Sequence, residues 1–194
     1  DLDALKKDFR SKGLHTVCQT AKCPNIGECF NNKTSTFMIL GDICSRNCSF
    51  CSTKHGIPID VDKDEPEKIA HTVKNLGSKY IVITSVTRDD LYDGGADHFK
   101  NVVQTIKKEI PDIKIEVLVP DFNGSANSLD VVLSSAIDVF SHNIETVPSL
   151  YNFRNKALYK RSLDVLSYAK TKNNIIKTGI MLGLGETEKE LLKV

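Results

Sequence analysis

From residue 37 onwards, short apolar runs alternate with amphipathic segments, and this alternation limits the possible folds more than any other feature. The apolar runs predict strands at 37–41, 80–86, 114–119, 138–145 and 175–184. Helices are predicted between them at 65–76, 98–110, 128–136 and 160–172. A helix between two strands carries the chain back to the start of the sheet, which makes neighbouring strands parallel. The sequence therefore predicts an α/β fold with a parallel (β/α) barrel or partial barrel.

The chain divides into a polar N-terminal arm, residues 1–36, and a core, residues 37–194. With 194 residues and 40% hydrophobic content, the chain is long enough to bury a substantial core. Residues 186–194 have the pattern of a helix that stops in its first turns, so we expect a core that is incomplete at its C-terminal end. The first residue is Asp1 rather than Met, which suggests a trimmed start.

Charge and hydropathy give no indication of a nucleic-acid or membrane partner. The formal net charge is +1, so no strong field attracts polyanions. No apolar run approaches the roughly 20 residues that a membrane span needs. We expect a monomer with neither kind of partner.

All six cysteines fall within the first 51 residues. Three disulfides would suit a small secreted domain that cannot build a core, and this chain is neither small nor visibly secreted. Closely spaced cysteines in a chain of this size are more often metal ligands. The six form two triads: Cys18, Cys23 and Cys29, and then Cys44, Cys48 and Cys51.

The second triad has the spacing C-x3-C-x2-C directly after the first predicted strand. Three thiolates on one loop can bind three irons of a cubane cluster and leave the fourth iron open for chemistry. A structural zinc site with His55 as the fourth ligand is the alternative. Phe50 precedes Cys51, and its ring could be a core anchor or a surface for adenine.

A C-x3-C-x-aromatic-C loop after strand 1 of a parallel α/β barrel resembles the radical SAM superfamily. The resemblance implies a [4Fe-4S] cluster on Cys44, Cys48 and Cys51, with S-adenosylmethionine bound at the open iron. It also implies reductive cleavage of that molecule to a 5′-deoxyadenosyl radical. The expected fold is then the partial barrel of the radical SAM type with a cysteine-rich N-terminal arm.

The first triad has the spacing C-x4-C-x5-C, and it narrows the resemblance from the superfamily to one family. Together with ITSVTRDDLYDGGA, EVLVPDF, HNIETVP, YKRSL and GIMLGLGE, it resembles the lipoyl synthase family over essentially the whole chain. The resemblance implies insertion of two sulfurs at C6 and C8 of an octanoyl chain carried on a lysine. It further implies that Cys18, Cys23 and Cys29 hold a second [4Fe-4S] cluster, which is consumed as the sulfur source.

The partners and compartment follow only from this resemblance. The substrate would be an octanoylated lipoyl carrier domain, such as glycine-cleavage H protein or a 2-oxoacid dehydrogenase E2. The reductant would be a ferredoxin or a flavodoxin. The expected location is the cytoplasm for a bacterium, and the mitochondrial matrix or a plastid for a eukaryote.

In that family, a serine from an Arg-Ser-Ser segment completes the second cluster, and no such segment occurs within the 194 residues. We therefore expect a truncated chain. Two alternatives stay open: another sulfur-inserting radical SAM enzyme, and a non-catalytic iron–sulfur electron carrier.

Four further positions complete the predicted site. Asn143 and Glu145 alternate on the fourth strand and could bind ribose hydroxyls, or could be polar ends satisfied by loop amides. Arg161 could bind the methionine carboxylate, or could be a solvated helix residue. By resemblance, the strand that contains Met181 borders adenine.

Overall fold

The computed structural model describes residues 2–21, 23–31, 34–172 and 175–194, and its centre is a sheet of parallel strands. The strands are β1 (His15–Thr16), β2 (Thr34–Ile39), β3 (Ile43–Cys44), β4 (Lys54–His55), β5 (Tyr80–Ser85), β6 (Lys114–Leu118), β7 (Val139–Ser141) and β8 (Ile175–Lys177). The helices are α1 (Leu2–Ser11), α2 (Val17–Thr20), α3 (Ile26–Asn31), α4 (Glu65–Leu76), α5 (Ala96–Glu109), α6 (Ala126–Leu133), α7 (Tyr159–Lys170) and α8 (Glu188–Leu191).

The main sheet has the order β1-β2-β5-β6-β7-β8. From β2 to β8 every neighbouring pair is parallel, and each strand pairs with the next main strand along the chain. This is the topology of a partial (β/α) barrel, which confirms the predicted fold class. The carboxyl ends of these strands meet at one edge of the sheet, where such folds place their chemistry.

Helices α4 to α7 supply the crossovers, and the core lies between them and the sheet. Fully buried α5 residues such as Phe99, Val103 and Ile106 belong to the same core as Ile83 of β5 and Val117 of β6. Burying a side chain of this size stabilises a fold by about 1.5–3 kcal/mol. Within the described ranges, no helix is both long enough and apolar enough to cross a membrane.

The strand ends differ from the sequence prediction for a local reason. β2 ends at Ile39 rather than at residue 41, because Leu40 and Gly41 both take a left-handed conformation, with φ of 67° and 89°. β7 ends at Ser141 instead of extending to residue 145, and Glu145 has φ of 63°. Beyond β7, an isolated bridge between Glu145 and Ile180 continues the parallel pairing.

Residues of the predicted N-terminal arm pack against the core. Phe9 of α1 is fully buried, and its ring centroid lies 5.8 Å from that of Phe37 in β2. β1 pairs with β2 in the antiparallel sense, with His15 opposite Met38. Residues 1, 22, 32 and 33 of the predicted arm lie outside the described residues.

Candidate active site

The second cysteine triad lies on a loop at the carboxyl edge of the sheet, and the two ends of this loop pair with each other. β3, which ends at Cys44, pairs in parallel with β4, so that Cys44 lies opposite His55. Lys54 closes the loop base by an ion pair of 2.8 Å to Asp42. The loop therefore brings Cys48 and Cys51 back towards the strand that carries Cys44.

The turn before this loop contains Leu40, and hydrogen bonds hold both the N–H and the carbonyl of that residue. The N–H of Leu40 donates to the buried carboxylate of Glu65 at 3.0 Å, and Arg88 donates to the Leu40 carbonyl at 3.1 Å. A Cβ on Gly95 would lie 2.3 Å from Cδ1 of Leu40. Glycine at this position is therefore needed for the left-handed turn to pack against α5.

Backbone N–H groups donate to two of the three sulfurs of the second triad, those of Cys44 and Cys48. The N–H groups of Arg46 and Thr87 both donate to Sγ of Cys44, each at 3.4 Å. Burial raises the pKa of Cys48, while a hydrogen bond from the Asn155 N–H and the positive charge of Arg154 oppose that rise. Backbone N–H groups aimed at cysteine sulfur are a means by which proteins stabilise and tune iron–sulfur clusters.

The donor set fits a cluster better than a single metal ion. Within the described part of the chain, no three His, Cys, Asp or Glu side chains converge as ligands of one ion do. The pKa of Cys48 is nevertheless raised by both Cys44 and Cys51, so the three thiols lie in mutual electrostatic range. A cubane binds each thiolate to a different iron, which keeps the sulfurs further apart than the ligands of tetrahedral zinc. His55, the zinc alternative, is exposed.

All three cysteines line an open cleft at the carboxyl ends of the strands. Its wall also contains Phe50, Asn143 and Glu145, the residues that the sequence suggested for adenine and ribose. Polar side chains and three potential iron ligands thus face one space, which is the arrangement of a cofactor site rather than of a closed structural site.

The polar floor of the cleft depends on Gly179. A Cβ on Gly179 would lie 2.9 Å from Oδ1 of Asn143, which is too close for any other residue without movement. Backbone hydrogen bonds from Glu145 N to Gly179 O and from Met181 N to Glu145 O lock the two segments together. Burial raises the pKa of Glu145, against the opposing effects of Arg154 and Asn143. Met181 does not line the cleft, and its described contact is this backbone bond.

Arg154 is a cleft residue that the sequence analysis missed. Its Nη1 donates to the Tyr151 hydroxyl at 2.6 Å and to the Asn143 carbonyl at 3.0 Å. Its Nε is buried and has no partner among the described residues. Arg154 lies in an irregular segment after a short 3-10 helix, Pro148–Phe153, so no periodic pattern marks it. The only available signal was an arginine in a polar segment that follows a strand end.

A directional chain of hydrogen bonds holds Arg154 in place. Tyr151 donates to Oγ of Ser162 at 2.7 Å, and that hydroxyl lies 3.0 Å from Nε2 of His142. His142 donates through Nδ1 to the Val119 carbonyl at 2.8 Å, so Nε2 of the neutral ring is the acceptor. Burial lowers the pKa of His142 to about 4.

Arg161, the sequence candidate for carboxylate binding, lies outside the cleft lining. Its Nη1 donates to Asp121 at 3.1 Å and to the Lys156 carbonyl at 3.2 Å. Asp121 has a fully buried side chain, so this guanidinium already has a carboxylate partner within the chain.

The first triad lies beside the edge of β2, on α2, α3 and the turn between them. Backbone bonds from Cys23 N to Cys18 O and from Cys29 N to Asn25 O shape this turn. Burial raises the pKa of Cys18, a hydrogen bond from the Thr36 N–H opposes this, and Cys23 and Cys29 raise it further. All three thiols are partly exposed. These three cysteines therefore also form one spatial group, at a second place on the molecule.

Comparisons with known proteins agree with this geometry. The model of the Radical SAM superfamily matches residues 38–194. Lipoyl synthase from Caldicellulosiruptor saccharolyticus is 57% identical over 196 residues, which cover 100% of this chain and 69% of the relative. Lipoyl synthase from Aquifex aeolicus is 51% identical over 193 residues, which cover 98% of this chain and 70% of the relative.

Solved structures show the same fold at low sequence identity. The crystal structure of methylornithine synthase (PylB) matches with a TM-score of 0.64 at 15% identity, covering 99% of this chain and 58% of that chain. The cobalamin-dependent S-adenosylmethionine radical enzyme OxsB matches with a TM-score of 0.55 at 13% identity, over 82% of this chain and 25% of that chain. The fold, the cysteine motif and the identity to curated relatives lead to one conclusion: the chain belongs to the lipoyl synthase family of the radical SAM superfamily.

Proposed function

We propose that the chain inserts two sulfurs, at C6 and C8, into an octanoyl chain carried on a lysine of a lipoyl carrier domain. The observation that carries the proposal is the shared cleft of Cys44, Cys48 and Cys51 with Asn143 and Arg154. Cys44, Cys48 and Cys51 would hold a cluster there, which would supply the electron for reductive cleavage of S-adenosylmethionine and so the means of removing hydrogen from an unactivated carbon. Membership of the lipoyl synthase family supports sulfur insertion over the other reactions of the superfamily.

Arg154 binds the methionine carboxylate of S-adenosylmethionine in this proposal. The described hydrogen bonds of its guanidinium leave from Nη1, and the buried Nε has no partner among the described residues. The Nε and Nη2 edge of an arginine matches the two oxygens of a carboxylate. A desolvated guanidinium with an unpaired donor is costly unless a ligand pairs with it, and Arg154 is therefore a stronger candidate than Arg161.

Asn143 and Glu145 bind the ribose hydroxyls, and Phe50 lies against the adenine. An amide and a carboxylate can each accept from a hydroxyl, and Asn143 can also donate. Their fixed backbone, held by the bonds between Glu145, Gly179 and Met181, keeps both side chains at the cleft before the ligand arrives.

Cys18, Cys23 and Cys29 hold a second [4Fe-4S] cluster, which is the source of the inserted sulfur. None of the three lines the cleft of the second triad, so a cluster on them can be consumed while the cluster of the second triad is retained. The Cys44 sulfur of the second triad accepts hydrogen bonds from two backbone N–H groups, as suits a cluster that survives each turnover. An octanoylated glycine-cleavage H protein or 2-oxoacid dehydrogenase E2 is the substrate, and a ferredoxin or flavodoxin is the reductant.

Anaerobic reconstitution of the protein and two matched variants tests the proposal. The parent is expected to bind about eight irons per chain and to release 5′-deoxyadenosine from S-adenosylmethionine when reduced. Cys44→Ala is expected to abolish this release, and Cys18→Ala is expected to retain it while losing sulfur insertion. Retained cleavage in Cys44→Ala would contradict the assignment of the second triad. An electron carrier without catalysis would release no 5′-deoxyadenosine in any of the three proteins.

A further inference from the structure

Five residues from four segments of the chain form one largely buried ion network outside the lining of the cleft. Its members are Arg46 of the cysteine loop, Asp89 after β5, Asp121 and Asn123 after β6, and Arg161 of α7. The Arg46 side chain is 4% exposed and the Asp121 side chain is fully buried. We call these five residues the loop clamp.

Arg46 forms the centre of the loop clamp with two carboxylates at once. Its Nε and Nη2 donate to Asp89 at 2.7 and 2.8 Å, and its Nη2 and Nη1 donate to Asp121 at 2.8 and 3.1 Å. Nη2 also reaches Oδ1 of Asn123 at 2.9 Å. Such forked contacts use the planar shape of guanidinium, which an ammonium group cannot reproduce. Arg46 therefore joins three strand-end loops at a defined geometry.

Burial of these charges argues for a geometric role. Burial raises the pKa of Asp121, but the hydrogen bonds and charge of Arg46, together with hydrogen bonds from the Asn123 N–H and Arg161, keep it below its usual value. Replacing a buried ion network by apolar side chains is often neutral or stabilising, so such a network is weak evidence for stability alone. The two arginines and two aspartates of the loop clamp balance in charge. The effect of the network that we consider is therefore that it fixes the position of Arg46.

A short series of hydrogen bonds links the loop clamp to the sulfur of Cys44. The N–H of Asp89 donates to Oγ of Ser45 at 3.0 Å, and Ser45 donates its own N–H to the Thr87 carbonyl at 2.9 Å. Thr87 in turn donates its N–H to Sγ of Cys44. The segments 44–46 and 87–89 are thus joined side by side, with the forked contact of Arg46 and Asp89 at one end and the Cys44 sulfur at the other.

From this chain of contacts we infer that Arg46 is a positioning residue for the cluster, acting through the Thr87 N–H on the Cys44 sulfur. It sets the register between the cysteine loop and the loop after β5. It thereby fixes the position of the Cys44 sulfur at the wall of the cleft. The inference rests on the proposed assignment of a cluster to Cys44, Cys48 and Cys51.

Arg46→Lys tests this inference, because it keeps the positive charge and removes the paired hydrogen bonds to Asp89 and Asp121. The variant is made in protein whose first triad is replaced by alanine, so that the remaining iron reports only on the second triad. We expect about four irons per chain as in the parent. We also expect binding of S-adenosylmethionine to weaken about 10- to 100-fold, as for other residues that orient metal ligands. The electron paramagnetic resonance spectrum of the reduced cluster with S-adenosylmethionine is expected to change.

A second readout needs no iron. In the iron-free protein, Arg46→Lys is expected to speed amide hydrogen exchange at Thr87, because the bond to Cys44 loosens. Asp138→Asn is the matched control, since Asp138 pairs with Lys107 and Lys114 elsewhere in the sheet. This control is expected to keep the parent's spectrum, affinity and exchange at Thr87.

Unchanged affinity, spectrum and Thr87 exchange in Arg46→Lys would overturn the inference. If Arg46→Lys does not fold by circular dichroism, Asp89→Asn is measured in the same way, since it weakens one fork and leaves the other. Parent-like values in folded Asp89→Asn would then overturn the inference. An incorrect assignment of the cluster to the second triad would be distinguished from this outcome, because Cys44→Ala would then keep its full iron content.

Discussion

Gly179 and Asn143 touch so closely that a Cβ on Gly179 would lie 2.9 Å from Oδ1 of Asn143. Gly179→Ala is therefore expected to push the Asn143 amide aside and to weaken S-adenosylmethionine binding about tenfold, the value of one hydrogen bond. Isothermal titration of the reconstituted protein measures this change. In an Asn143→Ala background the clash is gone, and Gly179→Ala is expected to have no additional effect. An equal effect in both backgrounds would rule out the contact as the cause.

Substitution of Arg154 and Arg161 decides which of the two binds the methionine carboxylate of S-adenosylmethionine. Arg154→Gln is expected to weaken S-adenosylmethionine binding about 10- to 100-fold, because it removes charge-assisted hydrogen bonds. Lys160→Gln, at an exposed position on α7, is the control and is expected to bind like the parent. If Arg161→Gln lost more affinity than Arg154→Gln, the carboxylate would belong to Arg161.

His142 predicts a pH dependence of stability. Its pKa is lowered from 6.5 to about 4, because burial disfavours the charged ring. The unfolded chain therefore takes up a proton below pH 6.5 that the folded protein does not, and the free energy of unfolding falls as the pH drops from 6.5 towards 4. The loss attributable to His142 is on the order of 3 kcal/mol.

Urea unfolding of the iron-free protein at several pH values measures this loss. His142→Gln is expected to show a flatter dependence between pH 6.5 and 4, and His71→Gln, at an exposed position on α4, is expected to behave like the parent. Parallel curves for His142→Gln and the parent would disagree with a neutral buried ring.

Two glycines predict opposite changes in stability. Gly95 has φ of 92°, and a Cβ there would meet Leu40 at 2.3 Å, so Gly95→Ala combines strain with a clash. We expect it to lower the free energy of unfolding by about 2–4 kcal/mol. Gly27 in α3 has open space around it, and Gly27→Ala is expected to be neutral or stabilising by up to about 1 kcal/mol. Thermal unfolding of both variants tests this, and similar losses would contradict it.

The parts of the fold that follow from local pattern were predictable. The amphipathic period of α4 gave its bounds correctly at Glu65–Leu76, and the β-branched run YIVITS gave β5 within one residue. Three cysteines on one loop were likewise recognisable, because their function depends on spacing along the chain.

Features that depend on distant contacts were not predictable. Arg161 was a candidate ligand because its partner, Asp121, lies 40 residues away in the chain. Arg154 could not be predicted because an irregular segment has no period, and only the folded chain shows that it lines the cleft and that its buried Nε has no partner among the described residues. The left-handed conformation of Glu145, beyond the end of β7, is one that few sequence patterns reveal for a non-glycine residue.

The most direct test of the account is the origin of the inserted sulfur. The protein is reconstituted with iron and ³⁴S-sulfide, and one turnover is run with an octanoylated carrier domain, S-adenosylmethionine and unlabelled reductant. Mass spectrometry of the carrier lysine is expected to show a lipoyl group with two ³⁴S atoms, and Cys18→Ala is expected to give 5′-deoxyadenosine without any lipoyl group. Unlabelled lipoyl product, or labelled product from Cys18→Ala, would contradict the role of the first triad.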